Sequence, residues 1–164
     1  MKRYFEKINF NQFSEDIAND PELYEEYNLP KRSTKNSAGY DFWAIEDYII
    51  QPGETKKIPT GIKVSMSNDE MLMLVVRSSM GFKYNVRLCN QIGIIESDYY
   101  NNPSNEGHMW IKLQNHGDKE YIINKGDAYL QGIFTKFLIV DNEEKIENER
   151  TGGFGSTSKG DNNE

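Results

Sequence analysis

The sequence predicts an all-β domain, either a β-sandwich or a β-barrel. Short apolar segments recur along the chain, and turn signals such as Gln51-Pro52-Gly53-Glu54 and Asn124-Lys125-Gly126-Asp127 separate them. The 164 residues suffice for one domain with a sizeable core. The formal net charge of −7 argues against direct nucleic-acid binding, which needs a basic surface.

The strands are expected where apolar residues alternate or run together. Ile62, Val64 and Met66 alternate, whereas 71–76 is continuously apolar and is therefore predicted to be a buried strand. The expected strand segments are 45–50, 56–66, 71–76, 86–95, 108–113, 120–123 and 128–140.

One segment near the N-terminus has a different pattern. Residues 11–27 are acidic, and their apolar side chains follow a helical spacing. We expect a short helical insert here, with Ser14 capping a first helix and Pro21 opening a second. Residues 141–149 are a charged linker, so the predicted domain is 1–149 and the predicted flexible C-terminal arm is 150–164.

The composition indicates an intracellular protein. A single cysteine, Cys89, rules out an internal disulfide and fits a reducing cytoplasm. The chain has no apolar run of membrane-spanning length and no signal-peptide pattern, so we expect a cytoplasmic location and no membrane contact. His108 and His116 lack a nearby cysteine pair, which argues against a zinc site.

Five short blocks carry residue types that nucleotide chemistry uses. Each block alone also fits an ordinary turn, a strand end, a helix cap or a loose tail. Arg77, Ser78 and Ser79 form a candidate anion site after a strand, and 90–99 is a predicted hairpin ending in acids and an aromatic residue. The blocks are 37–41, 77–81, 90–99, 125–131 and the glycine-rich strip 150–157.

Taken in order, these blocks resemble the five motifs of the homotrimeric dUTP pyrophosphatase (dUTPase) family. The resemblance covers roughly residues 29–157. It implies a jelly-roll-like β-barrel and a homotrimer with three shared active sites. It also implies Mg²⁺-dependent hydrolysis of dUTP to dUMP and pyrophosphate, which keeps uracil out of DNA. In this family Mg²⁺ is held by the phosphates and water, so no direct protein ligand is expected.

The resemblance also implies a role for each motif residue. Asn90 and the following backbone, including Gly93 and Ile95, would recognise uracil, and Tyr99 would pack on the deoxyribose. Asp41 would support Arg77 and reach the water shell of Mg²⁺, and Glu96 would activate the attacking water. The remaining residues would contact the triphosphate or close over the base: Ser78, Ser79, Gly81, Gln131, Arg150, Phe154, Gly155, Ser156 and Thr157.

The chain departs from the family pattern at four places. Glu96 stands where the family has aspartate, with Asp98 as a fallback base. Residues 100–106 intervene before Gly107, where the family has a glycine two residues after the tyrosine. Ala128 replaces a common arginine, and Arg150 lies one residue closer to the glycines than usual.

Two other functions stay open at this point. A dCTP deaminase shares the Arg77-Ser78-Ser79 block, but its catalytic glutamate and second arginine would fall at Lys112 and Phe82. A catalytically weak relative could instead act as a protein-binding regulator, with the acidic insert as the docking surface for a protein partner. The resemblance is compatible with a phage or prophage gene of a Gram-positive bacterium as well as with a cellular gene.

Overall fold

The structure is a computed structural model that describes residues 2–145. Within these residues the chain forms eleven strands, three α-helices and one short 3-10 helix. In chain order they are β1 (Tyr4–Lys7), α1 (Phe10–Asp16), α2 (Pro21–Glu26), β2 (Tyr40–Trp43), β3 (Tyr48–Ile50), β4 (Thr55–Pro59), β5 (Ile62–Ser65), β6 (Glu70–Val76), α3 (Ser78–Tyr84), β7 (Val86–Leu88), β8 (Gly93–Glu96), the 3-10 helix (Ser97–Tyr99), β9 (Trp110–Asn115), β10 (Tyr121–Ile123) and β11 (Ala128–Lys136). The predicted all-β class is confirmed.

The largest sheet places the candidate site residues. Its four strands lie in the order β2-β11-β6-β8, and every pair is antiparallel. The central strand β6 alternates buried residues, such as Leu72 and Leu74, with partly buried ones. One edge of β8 pairs with β6, so β8 is an edge strand of this sheet.

Three smaller antiparallel sheets complete the jelly-roll-type arrangement. They are β4-β9-β7, β1-β5 and β3-β10. Their inward residues, among them Ile50, Ile58, Val86 and Leu113, belong to the same buried cluster as Leu72 and Leu74. The sheets therefore share one core.

The hairpin predicted at 90–99 is wrong, and the single strand segment predicted at 86–95 contains two strands, β7 and β8. These strands do not pair with each other, because β7 pairs with β9 and β8 pairs with β6. The intervening turn, in which Gln91 has a φ of 63°, carries the chain from one sheet to another. Apolar alternation predicts where strands form but does not predict which strands pair with each other.

The acidic insert is helical, as predicted, and it is part of the packed fold. Phe13 is fully buried and stacks on Tyr27, with ring centroids 5.4 Å apart. Pro21 opens α2 as expected, but the cap of α1 is Asn9, whose side chain accepts from the Gln12 N–H, and not Ser14. None of the helices in the described part of the chain is long and apolar enough to cross a membrane.

Candidate active site

The first cluster of candidate residues surrounds a buried carboxylate, Asp41. Its side chain is 2% exposed and lies 3.4 Å from the Arg77 Nε. It accepts hydrogen bonds from the Ser33 hydroxyl and, at 3.0 Å, from the Gln131 Nε2. A buried carboxylate is stable only when it is paired and hydrogen-bonded, and these three donors meet that need.

Strand register brings Asp41 and Gln131 together. The two residues lie opposite each other on β2 and β11. Gly39 makes room for the amide, because a Cβ there would lie 3.2 Å from the Gln131 Cδ. One N–H of this amide is bonded to Asp41, which leaves the other to be directed elsewhere.

Arg77 occupies the junction between β6 and α3. Its Nη1 donates to the Ala128 carbonyl at 3.2 Å, and its side chain is 40% exposed. The guanidinium is thus fixed on one side and open to solvent on the other. Ser78 and Ser79 are exposed in the first turn of α3, and Gly81 is exposed in the same helix.

The second cluster lines a cavity of about 740 Å³ between β7, β8 and β9. Leu74, Leu88 and Met109 provide buried apolar walls, and the Lys57 Nζ lies 4.0 Å from the centre of the Trp110 ring. Four of the predicted site residues line this cavity: Asn90, Gly93, Ile95 and Tyr99. Its size falls within the range of small-molecule sites.

Tyr99 is anchored at both ends. Its backbone belongs to the 3-10 helix and its side chain is buried. The hydroxyl donates to the His108 carbonyl at 3.2 Å and accepts from the Asn105 Nδ2 at 2.7 Å. A tyrosine ring has two rotatable side-chain bonds, so these contacts fix its orientation.

His108 is itself held by two partners. Its Nε2 accepts from the Gly61 N–H at 2.9 Å, so the proton sits on Nδ1 and is donated to Asp16 at 2.6 Å. Burial lowers the pKa of His108, and the Asp16 carboxylate opposes that shift in part. His108 is therefore a neutral structural histidine near neutral pH.

Glu96 and Arg77 are far apart in one chain. Glu96 pairs with Met71 at the start of β6, whereas Arg77 follows the end of that strand. At about 3.3 Å per residue, the six steps from Met71 to Arg77 span about 20 Å. Glu96 and Asp98 are both exposed at the far end. The structure thus places the predicted site residues in two separate groups.

Sequence reasoning missed several residues of these groups. Trp110 and Lys57 line the cavity, and Asn105 holds Tyr99. Trp110 lay inside a predicted strand, where nothing in the local pattern distinguishes a cavity wall from a core residue. Five predicted site residues lie outside the described part of the chain: Arg150, Phe154, Gly155, Ser156 and Thr157.

Comparison with known proteins identifies the family. The dUTPase family model matches residues 25–158. A Lactococcus lactis protein named deoxyuridine 5'-triphosphate nucleotidohydrolase is 51% identical over 131 residues, which is 79% of this chain and 87% of that protein. The crystal structure of a Streptococcus mutans dUTPase is 36% identical, with a TM-score of 0.68, and covers 84% of this chain and 98% of its own.

A more distant structure shares the fold. A mutant dUTPase from phage phi11 of S. aureus, which is described with a structural Mg(II) ion, is 18% identical. Its TM-score is 0.65, and the match covers 90% of this chain and 98% of that one. The family match extends over most of the sequence and includes both groups of site residues. The chain belongs to the dUTPase family.

Proposed function

We propose that the chain hydrolyses dUTP to dUMP and pyrophosphate at sites shared between the subunits of a homotrimer. The observation that carries the proposal is the cavity of the Asn90–Tyr99 motif in a chain of this family. It combines an amide side chain, the backbone of an edge strand and a buried tyrosine. These are the groups needed to read a pyrimidine base and a sugar.

Base recognition rests on β8 and the turn before it. Because β8 is an edge strand, the backbone N–H and C=O groups on its outer edge can pair with the edge of uracil. Asn90 adds a donor and an acceptor beside them. Cytosine presents a different donor and acceptor pattern, so its binding would leave buried groups unpaired.

Triphosphate binding rests on the other group. The exposed side of the Arg77 guanidinium, the hydroxyls of Ser78 and Ser79, and the second N–H of Gln131 are all donors, and a phosphate accepts from such groups. Asp41 keeps Arg77 in place through its ion pair, so less side-chain entropy is lost on binding. We assign the tail residues from Arg150 to Thr157 to closure over the nucleotide.

The proposed reaction uses a magnesium ion that the substrate itself holds. Asp41, a buried carboxylate beside Arg77, is the candidate residue for the ion's water shell. When bound, Mg²⁺ neutralises charge on the triphosphate. The part assigned to this chain is to hold the phosphates that carry the ion.

The chemical step assigned to this chain is general-base catalysis by Glu96. The carboxylate takes a proton from a water molecule, whose oxygen bonds to the α-phosphorus. The bond from the α-phosphorus to the bridging oxygen breaks, and the electron pair leaves with pyrophosphate. Arg77 and the hydroxyls stabilise the charge that develops on the phosphate oxygens.

The separation along β6 supports the trimer. A general base must lie within hydrogen-bond reach of its water, and Arg77 must touch the same triphosphate. Glu96 lies on β8 beside Met71, about 20 Å along the sheet from Arg77, which is too far for both to act on one phosphate. Glu96 of one subunit and Arg77 of another therefore complete one site.

The test is pyrophosphate release from dUTP, dTTP, dCTP and UTP with Mg²⁺. We expect release from dUTP only, and we expect Glu96→Gln to lower kcat by about 10²–10⁴ with dUTP binding retained. Asp98→Asn, which changes a neighbouring exposed carboxylate, is the matched control. Undiminished turnover of Glu96→Gln, with loss in Asp98→Asn, would move the base to Asp98. Release from no nucleotide would refute the proposed activity.

A further inference from the structure

The loop that follows Tyr99 returns to the residue from which it starts. We call residues 100–107 the return loop. A Cβ at Gly107 would lie 2.4 Å from the Tyr99 carbonyl oxygen and 3.0 Å from the Asn101 nitrogen, so the loop closes directly on its own origin. The same loop supplies Asn105, which donates to the Tyr99 hydroxyl. The loop therefore contacts Tyr99 at its backbone carbonyl and, through Asn105, at its side-chain hydroxyl.

The N-terminal segment forms hydrogen bonds with this loop and with the residue after it. The Glu106 Oε2 accepts from the Asn9 N–H at 2.8 Å, and its Oε1 accepts from the Lys63 Nζ at 2.5 Å. Asp16 at the end of α1 accepts from His108, the residue after the loop. Helix α1 thus connects to both Glu106 and His108, although it lies more than eighty residues away in the chain.

We propose that Asn105 and Asp16 are positioning residues that set the preference for a 2′-deoxy sugar. Asn105 acts directly on the Tyr99 hydroxyl. Asp16 acts through His108, whose carbonyl accepts from that hydroxyl. This inference rests on the proposed function, because the proposed function assigns contact with the deoxyribose to Tyr99.

The physical basis is the freedom of the Tyr99 ring. In the proposed site the Tyr99 ring packs on the sugar, and a ring held at both ends in close-packed surroundings resists the displacement that a hydroxyl at the 2′ carbon would require. When one anchor is lost, the ring can rotate away and admit the ribose. Release of the ring therefore favours UTP binding more than dUTP binding.

The experiment measures the dissociation constants of α,β-imido-dUTP and α,β-imido-UTP by calorimetry on the full chain with Mg²⁺. We expect the wild type to prefer the deoxy analogue. Asn105→Ala and Asp16→Ala should each reduce the ratio of the two constants by about tenfold, the worth of one hydrogen bond. Ser104→Ala and Glu15→Ala, in the same loop and the same helix, should leave the ratio unchanged.

A double substitution tests the route of the effect. If Asn105 acts through the Tyr99 hydroxyl, Asn105→Ala should change the ratio little in a Tyr99→Phe background. If Asp16→Ala does not fold, Asp16→Leu, which has a similar shape but cannot accept the His108 hydrogen bond, replaces it. Equal weakening of both analogues, with the ratio unchanged, would overturn the inference and leave Asn105 and Asp16 with a purely structural role.

The outcome is separable from that of the proposed function. Hydrolysis of dUTP by the wild type is measured in parallel. A wild type that prefers the deoxy analogue without hydrolysing dUTP would refute the catalytic proposal and leave the sugar-positioning inference standing. A wild type that hydrolyses dUTP but binds both analogues equally would support the catalytic proposal and refute the sugar-positioning inference.

Discussion

At the scale of single residues, Asp41 and His108 are buried ionisable side chains, one in each of the two groups of candidate site residues. Asp41 lies 3.4 Å from the Arg77 Nε and accepts hydrogen bonds from Ser33 and Gln131. His108 is fully buried, and its contacts specify the neutral tautomer. Asp41 orients Arg77 for its proposed phosphate contact, and His108 places a neutral imidazole next to the residue that binds the Tyr99 hydroxyl.

His108 makes stability depend on pH. Burial lowers its pKa below the ordinary value of 6.5, and Asp16 and Glu106 raise it in part, while Lys57 lowers it further. The unfolded chain then binds more protons than the folded one as the pH falls. The contribution of His108 is complete above about pH 6.5 and decreases below it.

We expect the His108 ring signals in NMR to titrate with a midpoint below 6.5, and urea midpoints to fall on acidification through that range. Asp16→Asn should lower the His108 midpoint further, because it removes a group that raises the pKa. Glu15→Gln on the same helix is the matched control. The signals of His116, the other histidine, are identified with His116→Gln. A His108 midpoint above 6.5 would contradict the prediction.

At the scale of elements, the return loop is a lengthened turn that still ends in glycine. Gly107 has a φ of 79°, a conformation that side chains disfavour, and it lies against the Tyr99 carbonyl. Glu106, the residue before it, also has a positive φ, of 60°. The inserted residues therefore lead the chain back to a position that admits no side chain.

Gly107→Ala should destabilise the fold by about 3 kcal/mol or more, because backbone strain and a backbone clash add. Gly53→Ala provides a close control: its φ is also 79°, but its Cβ would meet nothing within 4 Å. We expect only about 1–2 kcal/mol there. Urea unfolding with equal m-values gives both costs. Equal destabilisation by the two substitutions would show that the Tyr99 contact costs nothing.

Sequence reasoning succeeded where local chemistry decides the structure. Strand β6, the helical insert and Pro21 at the start of α2 follow from hydrophobic periodicity and from the fixed φ of proline. It missed β1 and took Ser14 as the cap in place of Asn9, because helix boundaries depend on neighbouring elements. The motif residues came from a family resemblance, whereas the Asn105–Tyr99 and Asp16–His108 contacts needed the folded chain.

At the scale of the whole molecule, the length of β6 decides how the site is built. One chain carries the proposed phosphate-binding group after one end of this strand, and the proposed base on β8 beside its other end. The seven-residue strand is central in its sheet, so it does not bend to bring them together. The proposed assembly into a trimer resolves this geometry.

Complementation between chains tests the shared site. Glu96→Gln and Arg77→Ala chains should each be inactive alone. Mixed trimers formed by co-refolding at equal amounts should recover about a quarter of the wild-type activity, since a site is intact only when its Arg77 and Glu96 both come from unaltered positions. Size-exclusion chromatography checks that trimers form. No recovery from verified mixed trimers would place each site within one subunit.

The separation of Glu96 from Arg77 along β6 also has a genetic consequence. In the proposed trimer each chain contributes its Glu96 to one site and its Arg77 to a neighbouring site, so every chain serves two sites. A chain with a single defect inactivates one site, whereas a chain with both defects inactivates two. In a cell that expresses two versions of the gene, a doubly defective copy would therefore suppress the product of the intact copy, a dominant effect created by the length of one strand.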